Sequence, residues 1–206
     1  MCRFSGTLLT GILLGIALPA IAADPWLPLS KKQIIDLTVG FANTESLKID
    51  LVDEQTKAKQ TKSLADDESA WIATNPALAL SILIAGKDNN IHTIRIPVFT
   101  LGMTANQEKA DRVFRLLSDL FGNIYPDWPE ARSWPTFSLK EAWNMNPLVT
   151  KTVPTDPNDQ IIKKSMRGIT SATFGVPPDI VVYVVTARDA CIPDVRQGNP
   201  FDRLIC

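Results

Sequence analysis

Hydrophobic positions recur along this chain with two periods, and they divide it into helices and strands. The stretch Leu29-Ser30-Lys31-Lys32-Gln33-Ile34 carries the marks of a helix start. Ser30 can cap, Gln33 can reach back to it, and Leu29 and Ile34 can form a hydrophobic staple. Ile34, Leu37 and Phe41 then continue an apolar stripe at helical spacing. Leu47, Ile49 and Leu51 alternate with Lys48 and Asp50, the pattern of a strand with one wet face. Residues 53–68 are polar, rich in lysine and without period, and read as an exposed loop.

Two β-rich runs follow, 77–86 and 91–101, with Lys87-Asp88-Asn89-Asn90 between them. They predict a β-hairpin with a loop of four or five residues. Pro97 cannot donate to a ladder, which assigns its strand to an edge or a bulge. Parity with Ile94, Ile96 and Val98 sets His92 on the inner face. From Thr104 to Phe121 the pattern is that of a strong amphipathic helix. Thr104 and Gln107 form a capping box, and Val113, Leu116, Leu117, Leu120, Phe121 and Ile124 fall on one stripe. Glu108 with Arg112 and Asp111 with Arg115 are spaced for i,i+4 pairs. Ser138 and Glu141 predict a shorter helix through Trp143. Asp156-Pro157 predicts another, with Ile161, Ile162, Met166 and Ile169 turned inward.

The run 180–185 (IVVYVV) is apolar at every position and reads as a strand buried on both faces, central in a sheet. The expected fold is therefore a single α+β (or α/β) domain over residues 24–206, a sheet of roughly four strands covered by helices. A chain of this length buries about 70% of its unfolded surface, enough for an independent core.

The first 23 residues change the picture of where the protein works. Arg3 is a short positive region, Leu8 to Leu18 an apolar one, and Ala20-Ile21-Ala22 a small-x-small cleavage site. This is the pattern of a secretory signal peptide, so the chain is expected to be exported, periplasmic or secreted, with no stable membrane span after cleavage. Cys2 leaves with that leader. Cys191 and Cys206 then remain as an even pair in an oxidising compartment, which predicts a C-terminal disulfide. The leader holds one of the 21 basic side chains and none of the 22 acidic ones, leaving a mature charge of −2. Such a balance offers no basic surface for nucleic acid.

Candidate chemistry is sparse. One histidine excludes metal sites built from two or more imidazoles. No nucleophile elbow, phosphate-binding loop or dinucleotide fingerprint occurs, and no cofactor is implied. The distinctive segment is 124–143, which holds Tyr125, Trp128, Trp134, Phe137 and Trp143 with Pro126, Pro129 and Pro135 between them. It admits two arrangements. In one, an extended proline-stiffened backbone holds the rings outward as a platform for a protein or glycan. Asp127, Glu130 and Arg132 then act as polar handles beside Tyr125, Trp128, Trp134 and Trp143. In the other, the rings fold back as a lid over the sheet. The functional expectation is a non-catalytic binding or assembly protein that recognises an envelope protein or glycan. The alternative is a small envelope hydrolase working through paired carboxylates.

Overall fold

The computed structural model describes residues 26–60, 64, 68–74, 77–144, 162–166, 168–176, 180–187, 192–193 and 204–205. Seven antiparallel strands form one open sheet. In chain order they are β1 (Asp50–Asp53), β2 (Glu68–Ala73), β3 (Ser81–Lys87), β4 (Asn90–Phe99), β5 (Ile162–Met166), β6 (Ile169–Val176) and β7 (Ile180–Thr186). Their order across the sheet is β1-β2-β3-β4-β7-β6-β5, so two meanders meet where β4 pairs with β7. A separate two-stranded pair joins β8 (Ile192–Pro193) to β9 (Leu204–Ile205), with Ile192 opposite Ile205. Five helices are present among the described residues: α1 (Lys31–Thr44), α2 (Glu54–Lys57), α3 (Thr100–Thr104), α4 (Gln107–Ile124) and α5 (Trp134–Asn144). None is long and apolar enough to cross a membrane.

The mixed α and β character agrees with the sequence, but the sheet has seven strands rather than about four, and its neighbours are all antiparallel. The three additional strands were hidden for separate reasons. β2 (ESAWIA) lies at the end of the polar stretch read as loop, and its small residues give no clear alternation. The β5–β6 hairpin lies where the spacing of Ile162, Met166 and Ile169 imitates a helix. Gly168, at φ 75°, sits in its turn. Residues 145–161, where that helix was to begin, lie outside the described residues, as do the leader and Cys191 and Cys206 of the expected disulfide.

Helix α1 starts as its sequence dictates. The Ser30 hydroxyl accepts from Gln33 N, and the Gln33 side chain accepts from Ser30 N. The polar stretch after it is shorter in loop than expected, because Asp53 caps the single turn of α2 by accepting from Thr56 N at 2.6 Å. Of the predicted 47–51 strand only Asp50 and Leu51 pair, and β1 runs on to Asp53. The end of the run read as strand turns instead into α3, and the long amphipathic helix starts later than expected, since Asn106, not Thr104, caps α4 by accepting from Lys109 N. Its stripe is as expected, with Val113, Leu116, Leu117, Leu120, Phe121 and Ile124 all buried. Glu108 does pair with Arg112, whereas Arg115 turns away from Asp111 to Glu45, at 2.8 Å, where α1 ends. Ser138 is not a cap. It lies buried inside α5, donating to Trp134 O.

The β3–β4 hairpin turns through Asp88 and Asn89 alone, tighter than the expected loop, with Lys87 opposite Asn90. A bulge follows at once: Ala85 faces Thr93 but Gly86 faces Ile91, so β4 carries one extra residue, His92. Gly86 adopts φ 112°, and a Cβ there would stand 2.2 Å from Asn90 O. The bulge resets parity, so Ile91 is fully buried and His92 only half-buried. Of the two expectations for the strand with Pro97, an edge or a bulge, it is the bulge that is found, and the strand itself is interior. Phe99 N donates to Ala79 O, so the missing Pro97 donor also faces the β3 side. There pairing lapses between Leu83–Arg95 and the Leu80–Val98 bridge, while the β7 side pairs unbroken from Thr93 to Phe99.

One face of the sheet packs against the helices. Ile72, Ile82, Ile84, Ile94, Ile96 and Val185 form its floor, and Ile34, Val113, Leu117 and Phe121 close over it. All ten of these side chains are fully buried.

Candidate functional site

The aromatic segment begins where α4 runs out. Tyr125 caps the helix, its N–H donating to Phe121 O, and two turns follow with Trp128 N bonded to Tyr125 O and Ala131 N to Trp128 O. Tyr125, Trp128 and Trp134 expose only 3%, 6% and 8% of their surface. Their rings pack in series. Tyr125 stacks on Phe121 at 6.2 Å, meets Trp128 edge-on at 5.4 Å, and Trp128 meets Trp134 at 5.4 Å. Trp134 Nε1 donates to Ser171 Oγ of β6 at 3.0 Å, and Lys164 of β5 sets its ammonium 5.4 Å over the Trp128 ring. The prolines therefore shape turns that fold these three rings inward over the β5–β6 end of the sheet.

Asp127, Glu130 and Arg132 stay at the surface, with Arg132 paired to Asp119 at 2.6 Å. Trp143 lies in α5, and its side chain is outside the described residues. Phe137, by contrast, is 52% exposed. The Tyr125 hydroxyl is buried without a hydrogen-bond partner among the described residues, and burial pushes its phenol well above the ordinary value.

A second feature arises from the break between α3 and α4. A groove of about 330 Å³ runs between these helices and α5. Met103, Ala110, Phe114 and Leu139 supply its apolar wall, and Thr100, Thr104, Gln107 and Lys140 its polar groups. Leu101, in α3 beside Thr100, stands 59% exposed. Reading 91–101 as one strand conceals this groove, since Thr100 and Leu101 belong to the short helix α3.

A polar cavity of about 460 Å³ opens at the start of α1, lined by Lys31, Lys32, Asp53, Gln55 and Asp88 among others. Lys31 Nζ lies 3.8 Å from Glu54 and 3.9 Å from Asp88. Hydrogen bonds from the Thr56 backbone and hydroxyl hold the Asp53 carboxyl below its usual range, so it is an ionised cap rather than a proton donor at neutral pH. His92 Nδ1 lies 3.0 Å from Thr93 Oγ1. No group of three His, Cys, Asp or Glu side chains among the described residues could hold a metal ion. No family model, curated protein or solved structure matches this chain.

Proposed function

We propose that this is an exported, non-catalytic binding or assembly protein whose partner is a protein of the cell envelope, held in the groove between α3, α4 and α5. The leader-like first 23 residues support export. The observation that carries the binding reading is the groove itself. Its wall of Met103, Phe114 and Leu139 is apolar, and Leu101 and Phe137 are exposed on the helices that form it. Thioether and aromatic side chains in a concave site suit an apolar anchor from a partner, and Lys140 offers a charge to orient it. A peptide side chain fits this chemistry better than a sugar, because Trp128 and Trp134, two of the indoles that would stack on a glycan, are turned into the core.

The test is capture of envelope proteins on the mature chain, followed by titration of the purified partner. Leu101→Asp and Phe137→Ser alter exposed side chains and should leave the melting temperature nearly unchanged. Loss of the partner by about tenfold or more in Kd, with the fold intact, is the expected result. Equal binding by wild type and both variants removes the groove from consideration.

A further inference from the structure

The sheet is open, and its two outermost strands carry opposite charge. At one end β1 holds Asp50 and Asp53, with Glu54 directly after it, and at the other end β5 holds Lys163 and Lys164. Among the described residues β1 pairs only with β2, and β5 only with β6. Charges on an edge strand ordinarily prevent two sheets from joining. Here they act selectively. Joining β1 to a second β1 sets acid against acid, and joining β5 to a second β5 sets lysine against lysine. The unlike pair alone is attractive.

The topology makes that pair geometrically direct. Neighbouring strands are antiparallel throughout a sheet of seven, so the first and last strands in its order point the same way. Two copies set side by side with their helices on the same face therefore bring β5 of one along β1 of the next as a parallel pair. Register places Asp53 and Lys164 on the helix-covered face of the sheet. That face of the joint thus carries an acid from one copy and a lysine from the other.

We propose that the protein associates with copies of itself head to tail, β5 of one copy extending the sheet at β1 of the next. The contact is heterologous, so each added copy leaves one free edge of each kind and growth does not stop at a dimer. This inference stands apart from the groove, which lies among the helices.

Sedimentation of the mature chain over a range of concentrations tests it. The expected result is a weight-average mass that climbs past that of a dimer, with association about tenfold weaker when salt is raised from 0.05 M to 0.5 M. Lys163→Glu/Lys164→Glu should stay monomeric, and so should Asp50→Lys, which spares Asp53 because that residue caps α2. Mixing the two variants should give a heterodimer and no longer chain, since one variant keeps an intact β1 edge and the other an intact β5 edge, and the two altered edges are left outside. A wild type that stays monomeric, halts at a dimer or associates equally in high salt overturns the proposal. The salt series needs no variant, so misfolding of either one leaves the test intact.

Discussion

The two faces of the sheet differ in chemistry, and β4, buried on both sides along its middle, shows this residue by residue. Toward the helices it points Ile94 and Ile96, packed against Ile84 and Val185 with no exposed surface. Toward the opposite side it points Thr93 and Arg95, at 1% and 8% exposure. There Thr93, Thr186, Thr170 and Ser165 line up across four adjacent strands. Thr93 donates to Thr186 at 3.2 Å, and Ser165 and Thr170 share a hydrogen bond of 2.9 Å. Arg95 reaches diagonally to Glu68 of β2 at 2.7 Å. Alternation of apolar and polar side chains is usually taken to mean one dry face and one wet face. Around Thr93, Arg95, Thr170 and Thr186 the polar face is withdrawn from water as well, so the groups there must satisfy one another, while Ser165 on the edge strand is exposed. Apolar contacts fail by degrees as volume is removed, whereas a buried charge fails when its partner goes.

The largest effect should come from the ion pair. The side chains of Arg95 and Glu68 are 10% and 7% exposed, so Arg95→Met strands a buried carboxylate and should cost about 3–5 kcal/mol in denaturant unfolding. Arg95→Met/Glu68→Leu should recover most of that loss, because replacing both partners removes the desolvation penalty with the attraction. Equal losses in the single and double variants would erase the proposed difference between the faces. On the helix side Ile94→Ala should cost about 2–5 kcal/mol and Ile94→Val only about 0.5–1.5 kcal/mol, a graded response. A Val variant as damaging as the Ala variant would contradict a face held by packing.

Trp134 lies where the two kinds of burial meet, a large ring in the helix-side core whose N–H satisfies Ser171 on β6. Trp134→Phe should cost about 1–3 kcal/mol through the orphaned hydroxyl, and Ser171→Ala in the same chain should return part of it. A double variant no better than the single would mean that ring volume, not the hydrogen bond, sets the loss.

How much of this was legible in the sequence follows the same division. Features fixed by local side-chain chemistry are readable: the Ser30–Gln33 capping box, the stripe from Val113 to Ile124, the turn at Asp88-Asn89, and the interior place of the 180–185 strand. Features settled by distant partners are not. β6 (ITSATFGV) buries Ser171 and Thr173, which as a pattern look solvent-facing, and only the ring of Trp134 and the neighbouring β7 account for their burial. Pro97 is tolerated in an interior strand because its missing donor falls where β3 has already lost its ladder. The aromatic segment is conspicuous, but nothing in its own residues decides between its two arrangements. That choice depends on the floor that β5 and β6 provide beneath it, and those strands had been read as helix. The groove depends on α3, whose first residues continue the β-rich run from Ile91 without a turn signal between them.

The smallest expected change is the most discriminating, because it removes a polar atom from the apolar side. Tyr125 is enclosed by Phe121 and Trp128, and its hydroxyl has no partner among the described residues. Tyr125→Phe should therefore leave stability at pH 7 unchanged or raise it by about 1 kcal/mol, since it relieves a desolvated group without losing a bond. The pH dependence should change more clearly. Burial raises the phenol pKa in the folded chain, whereas the unfolded chain ionises near 10.0. Below that pH both states hold the proton, and the difference contributes nothing to the slope. Above it the unfolded state binds fewer protons than the folded one, so stability falls as pH rises, by up to about 1.4 kcal/mol per unit for this group. Other groups titrate in the same range, so the informative quantity is the difference between wild type and Tyr125→Phe in unfolding free energy from pH 9 to 11. That difference should grow with pH in favour of the variant. Parallel curves would show that the phenol is satisfied or reached by water, and the helix side of the sheet would then be less completely apolar than its isoleucines suggest.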